Sequence, residues 1–334
     1  MRICYVQEEN SLWGGVKVVF EQAEALQARG HQVVIVSKDQ PPTWYKTRVP
    51  LRQVAAFTSA AIPESDFVIG TFWTTLRPVL EAGKGCPVHL CQGYEGDYSA
   101  YVERQPQIEE IYRLPLLTLT VHEPLTRLLW ARFHKKAYTV GQGINPELFV
   151  PQGIRTPTEH WRVLVVGPYE VDWKGVREGL LALKTLKAEI PLQVVRVSQF
   201  PCHPEEKRLG VTDEYHCHLR ADEMPALYRS CDVMLAPSWA QEGFGLPALE
   251  AMACGVPVVM SDIPAFRGFA DGEDWACFFA EHDLAGMQYA LRALLGDAAL
   301  RLRLRRRALE IAQTYTFARV AERIERVLMA QGVR

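Results

Sequence analysis

The chain has 334 residues, 48% hydrophobic and 23% charged, with a formal net charge of −2. That length suits two domains with a core each, and the balance of 16 basic and 15 acidic side chains over residues 1–155 excludes a basic nucleic-acid-binding half. There is no apolar run of the roughly 18 residues a transmembrane helix needs, and most of the eight cysteines, as at Cys91, Cys231 and Cys254, lie in apolar segments that suit buried thiols in a reducing cytoplasm.

The first apolar stretch, residues 3–6, is too short for a signal peptide and reads as a buried strand. Gly14-Gly15 then turns the chain into a helix over 16–29, where Val19, Phe20, Ala23 and Leu26 recur at helical spacing. Gly30-His31 stops that helix, and residues 33–36 form the next strand. Further buried strands are expected at 67–70, 87–91 and 116–121, and His122 reads as the cap of a following helix. Residues 151–158 are rich in turn formers and read as a linker.

The pattern then restarts. Strands are expected at 162–167, 192–197, 232–236 and 256–260, and helices at 175–189, 224–229 and 246–253. The basic run over 301–307 reads as the solvated face of an amphipathic helix, with anionic-lipid contact as the alternative. A last helix over 317–331 puts Val320, Ile324, Val327 and Leu328 on one stripe. The expected fold class is α/β, with two doubly wound Rossmann-like domains, residues 1–152 and 158–316. Such sheets bind ligands beyond the carboxyl ends of their strands.

The most informative stretch is Pro237-Ser238-Trp239-Ala240-Gln241-Glu242-Gly243-Phe244-Gly245-Leu246-Pro247, which follows a strand and opens a helix. Gly243 and Gly245 leave the backbone uncovered, and Pro247 suits the first helical turn. The helix start offers free N–H groups and a partial positive charge, a seat for a diphosphate. Glu250 lies a little over two turns along from Glu242, where its carboxylate can accept hydrogen bonds from ribose hydroxyls. Two isolated glutamates would be a cap and a surface acid; the glycines, prolines and following strand set this pair apart.

This stretch resembles the signature of the retaining glycosyltransferases of family 4. Other segments follow in that family's order: Gly14-Gly15, Gly30-His31-Gln32-Val33, Gly141-Gln142-Gly143-Ile144-Asn145, Asp172-Trp173-Lys174-Gly175 and Thr314-Tyr315-Thr316-Phe317. The resemblance covers nearly the whole chain. It implies the GT-B fold, two Rossmann-like domains facing across a cleft, with the terminal helix over 317–334 crossing back to the first domain.

The resemblance also implies the chemistry. A sugar would pass from a nucleoside diphosphate donor to a hydroxyl of a saccharide, lipid-linked or small-molecule acceptor, in glycan, glycolipid or polysaccharide biosynthesis. Glu242 and Lys174 would be catalytic. Gly14, Gly15, Lys174, Gly243, Phe244, Gly245, Leu246 and Glu250 would bind the donor, and Gln92, Tyr94 and Glu95 the acceptor. No Asp-x-Asp motif is present, and no metal or other cofactor is expected: Lys174 and the glycine loop neutralise the leaving diphosphate. The protein is expected in the cytoplasm, with peripheral contact at the inner face of the membrane as a further expectation, and with no nucleic-acid partner.

Two positions depart from the family. Pro168-Tyr169 follows Gly167 where an arginine is usual, leaving Arg196 and Lys17 as candidate phosphate cations. Gln92 stands where a histidine is expected; Gln92-Gly93-Tyr94-Glu95 is similar to a subgroup that includes rhamnosyltransferases of bacterial surface glycans. Glutamine orients a hydroxyl but takes no proton, which fits a departing phosphate acting as base. The alternatives are a nucleotide-sugar epimerase on the same fold and a catalytically silent sugar-binding partner subunit. Cys202, His203, His216, Cys217 and His218 lack zinc-finger spacing.

Overall fold

The apolar runs of the first half become strands β1 (Arg2–Gln7), β2 (Gln32–Ser37), β3 (Leu51–Gln53), β4 (Phe67–Gly70), β5 (Cys86–Cys91), β6 (Leu117–Thr120) and β7 (Ala137–Thr139). They form one sheet in the order β3-β2-β1-β4-β5-β6-β7, with every neighbouring pair parallel. Val68 and Ile69 of β4 are fully buried, as a sheet covered on both faces requires. The strand order reverses at β1, and the crevice beyond the carboxyl ends of β1 and β4 is this sheet's topological switch point.

The structure, a computed structural model, describes residues 1–153 and 159–331. The chain divides into two units, Met1–Gly143 with Tyr315–Arg334, and Ile144–Thr314. In the first, helix Gly14–Ala28 buries Val16, Val19, Phe20, Ala23 and Leu26. The terminal helix, Phe317–Ala330, adds Val320, Ala321, Ile324 and Leu328 to the same core. Thr316 caps that helix by accepting the Arg319 N–H at 3.3 Å.

The second unit holds β8 (Trp161–Val166), β9 (Leu192–Ser198), β10 (Glu214–Cys217), β11 (Val233–Ala236), β12 (Val258–Ser261) and β13 (Cys277–Phe279). Their order, β10-β9-β8-β11-β12-β13, is again all parallel, with its switch point between β8 and β11. Helix Val176–Lys187 lays Leu180, Leu183 and Leu186 on this sheet, and helix Leu284–Gly296 adds Met287, Leu291 and Leu294.

The basic run falls on helix Ala298–Ala312. Arg301 donates to the carbonyls of Leu294 and Leu295, Arg305 to that of Gly255, and Arg307 pairs with Glu310; Arg303 and Arg306 are exposed. No helix among the described residues is long and apolar enough to cross a membrane. Of the linker expected over 151–158, residues 154–158 lie outside the described residues.

Candidate functional site

In the second unit the chain leaves β8 through Gly167 and the turn Asp172–Lys174. Gly175 then takes φ 61°, and a Cβ there would lie 2.0 Å from the Pro237 carbonyl oxygen. Only glycine lets this turn press so closely on the exit of β11. Trp239 N–H donates to Trp173 O at 2.7 Å, so the residue before Lys174 grips the loop that carries Glu242.

The two candidate catalytic residues meet. Lys174 Nζ donates to Glu242 Oε2 at 2.7 Å, and Ser238 Oγ donates to the same oxygen at 2.8 Å. The Glu242 side chain is only 8% exposed. Burial works to raise its pKa, but the Lys174 charge and the hydrogen bonds from Lys174, Ser238 and the Phe244 N–H outweigh it and hold the carboxyl below its ordinary value. Glu242 is therefore an anion with an ammonium beside it.

The loop is pinned from further sides. Trp239 Nε1 donates to Glu178 Oε2 at 3.0 Å, and its ring lies 4.6 Å from that of His282. His282 Nδ1 is 2.9 Å from Glu178 Oε1, and the Ala240 N–H donates to Glu281 at 2.9 Å. Helix Leu246–Ala253 opens from Gly245 at φ 89°, where a Cβ would lie 2.2 Å from the Phe266 ring. Gly243 and Leu246 are half-buried, and Phe244 is buried beside Phe269. Glu250 is buried on this helix and accepts from the Tyr228 hydroxyl at 2.9 Å.

In the first unit Gly14 and Gly15 open the helix after β1, and Gln92 follows β5. Gln92 Nε2 donates to Gly15 O at 3.1 Å, which joins these two predicted positions and leaves Gln92 Oε1 as an acceptor. Tyr94 and Glu95 are different: both are buried, and Glu95 meets the Tyr112 hydroxyl and the Trp73 N–H inside the unit. Burial pushes the Glu95 carboxyl up to about 7, against the hydrogen bonds from Tyr112 and from backbone N–H groups. Tyr112 Oη is also 2.9 Å from Gly93 O. A phenol has one hydrogen, so a proton on Glu95 lets both contacts be hydrogen bonds.

Arg196 does not serve as the missing phosphate cation. It is fully buried, paired with Glu206 at 2.8 Å, and it donates to Val165 O at 2.7 Å and Gly167 O at 2.9 Å. Its guanidinium is spent on shaping the Gly167 turn. Lys17 is half-buried on helix Gly14–Ala28 of the first unit. His122 Nδ1 accepts the Leu125 N–H at 3.1 Å and caps its helix. His203 caps helix Pro204–Leu209 and stacks on Tyr169 at 4.9 Å, and no group of three or more His, Cys, Asp or Glu among the described residues could hold a metal. Sequence reasoning missed Ser238 and Trp239, which lay in plain view inside the signature, and Glu178, Glu281 and His282, which carried no local signal.

Residues 160–297 match the family described as "Glycosyl transferases group 1". The chain has the GT-B fold. The chain is 27% identical over 98% of its length to the O-antigen biosynthesis protein RfbC of Myxococcus xanthus. It is 34% identical over 51% of its length to a phosphatidyl-myo-inositol mannosyltransferase of Mycolicibacterium smegmatis. These matches span 27% and 45% of the two relatives' own lengths. Among solved structures, Anabaena HepE in complex with UDP-glucose superposes with a TM-score of 0.81 at 14% identity, over 99% of this chain and 100% of that one.

Proposed function

We propose that the chain is a retaining glycosyltransferase, moving a hexosyl or deoxyhexosyl group from a nucleoside diphosphate sugar to a hydroxyl acceptor in bacterial glycan, glycolipid or polysaccharide biosynthesis. The observation that carries this reading is the Lys174–Glu242 pair at the switch point between β8 and β11, beside the opening of helix Leu246–Ala253. Breaking the bond from sugar C1 to the phosphate oxygen builds negative charge on the departing diphosphate. Lys174 and the loop N–H groups stabilise that charge, and Glu242 stabilises positive charge developing on the sugar ring. The acceptor oxygen bonds to C1 and gives its proton to the departing phosphate. Glu250 holds the ribose, and Gly15 with Gln92 borders the acceptor.

In this reading no divalent cation takes part, because Lys174 and the backbone do its work. The protein acts in the cytoplasm, with peripheral contact at the membrane's inner face where the acceptor is lipid-linked. The test is calorimetric titration with UDP, GDP and dTDP, each with chelator and with Mg²⁺. Binding of one nucleotide that is unchanged by chelator is expected; binding only with metal, or of none, overturns the proposal.

A further inference from the structure

Beyond Gly15 and Gln92, the carboxyl edge of the first sheet carries an aromatic corner with no role so far. We infer that the partly exposed rings of Phe72 and Tyr101, backed by the buried Trp73, form a stacking platform for an uncharged saccharide acceptor; this rests on the glycosyltransferase reading above.

The corner stands at the switch point of the first unit. Phe72 and Trp73 follow β4, and Glu8 follows β1. Thr74 Oγ1 donates to Glu8 Oε2 at 2.6 Å and ties the two strand ends together. The ring of Tyr101, on the 3₁₀ helix Ser99–Arg104 after β5, lies 6.1 Å from Phe72 and 6.2 Å from Trp73, which are 6.2 Å from each other. Phe72 and Tyr101 are half-buried, and the adjoining Val102 is 63% exposed. Trp73 Nε1, buried in the corner, has no hydrogen-bond partner among the described residues. Half-exposed rings seated on a buried one, at the carboxyl edge of the sheet, offer apolar faces to a ligand.

The corner is also preorganised. Thr75 Oγ1 accepts the N–H groups of Thr71 and Phe72 at 3.0 and 3.2 Å, which fixes the turn carrying Phe72. Glu95, after β5, accepts the Trp73 N–H and locks the two loops together. The buried Glu95 thus acts as a positioning residue and not as a contact to the acceptor.

Charge selects the ligand class. Glu8 and Glu9 act electrostatically on Tyr101 against Arg104; Glu8 is paired with Lys38 at 2.6 Å. These charges leave no surplus of cations to hold a phosphate or carboxylate, whereas sugar hydroxyls can donate to Glu8 and Glu9. The C–H face of a pyranose, with its slightly positive hydrogens, complements the negative face of an aromatic ring.

The test uses the whole protein and saturation-transfer NMR with methyl α-D-mannoside, methyl α-D-glucoside and methyl α-L-rhamnoside, with myo-inositol 1-phosphate as the anionic comparison. At least one methyl glycoside should bind, with its C–H protons most saturated, and bind better than the inositol phosphate. Tyr101→Leu, which keeps bulk without a ring, should weaken it at least about fivefold, and Tyr101→Phe should not. Nucleotide binding should be the same in all variants. Should Tyr101→Leu fail to fold, Phe72→Leu makes the same comparison. A protein that binds nucleotide but no methyl glycoside, or a leucine variant that binds as wild type, overturns this inference alone. Loss of nucleotide binding by the wild type overturns the functional reading beneath it.

Discussion

Lys174 Nζ and Glu242 Oε2, 2.7 Å apart, join the segment after β8 to the segment after β11 across the point where strand order reverses. A diphosphate seated at Lys174 competes with Glu242 for the ammonium. Removing either partner should therefore act in opposite directions on nucleotide binding. Lys174→Ala removes a charge-assisted hydrogen bond and should weaken nucleoside diphosphate binding by about 1.5–3 kcal/mol. Glu242→Gln releases the ammonium and should leave that affinity equal or higher while sugar transfer falls. Calorimetry and a transfer assay on both variants check this; equal loss of binding in both would place the diphosphate elsewhere.

A neighbouring position tests how the pair is held. Gly175 has φ 61°, and any Cβ would meet the Pro237 carbonyl. Gly175→Ala should cost about 1–3 kcal/mol for the left-handed backbone alone, with more from the clash. Because the same turn sets Lys174 against Glu242, nucleotide affinity should fall together with the melting temperature. Gly210, also left-handed at φ 63° but with open space around its Cβ position, is the control: Gly210→Ala should destabilise less and spare nucleotide binding.

How much of this was legible in the sequence follows from what each signal depends on. The central strands were readable because burial on both faces forces continuous apolar runs, as in Val33-Val34-Ile35-Val36. The edge strands β3 and β7 have three residues each and carry no such run; β13, equally short, lies in the apolar run over 275–280, which the sequence reading passed over. Helix Trp73–Ala82 was hidden by Pro78, which is tolerated inside it. At the site, Lys174, Glu242 and Glu250 stood out because glycines and prolines punctuate their surroundings. The clamp of Glu178 and His282 on Trp239 joins residues 61 and 104 positions apart or nearby in space only, a relation no local spacing records. Arg196 was misread for the same reason: an arginine inside a strand gives no sign that Glu206 will meet it in the core.

Glu95 offers a pH test. Its folded pKa, pushed up to about 7 by burial, lies above the ordinary 4.5. A carboxyl raised on folding makes the native state bind more protons than the unfolded chain between those values. Its stabilising contribution is complete below the ordinary value and is lost as pH rises through about 7. The size is about 3 kcal/mol at 1.36 kcal/mol per pKa unit. Glu95→Gln keeps the contacts without the titration, so denaturant unfolding at pH 5 and pH 8 should show wild type losing stability relative to the variant. A difference between the two proteins that does not change with pH would sink this reading.

The terminal helix gives the last prediction. It begins after unit two's last residue, yet Val320, Ala321, Ile324 and Leu328 are buried in the core of the first unit, against helix Gly14–Ala28. Its Glu325 accepts from Arg29 Nε at 2.8 Å, adding a contact at the rim. A rim pair of this kind, with Arg29 partly exposed, contributes roughly 0–1 kcal/mol, whereas truncating a fully buried isoleucine costs about 2–5 kcal/mol. Ile324→Ala should therefore destabilise the first unit far more than Glu325→Gln. Apart from Gly14 and Gly15, the residues assigned above to the donor belong to the second unit. Nucleotide should protect amides around Lys174 and Glu242 from hydrogen exchange in Ile324→Ala as in wild type. Amides of Val19, Phe20 and Ile35 should exchange faster in the variant. If the two substitutions instead destabilise equally, the helix is held by its ion pair and not by its apolar stripe.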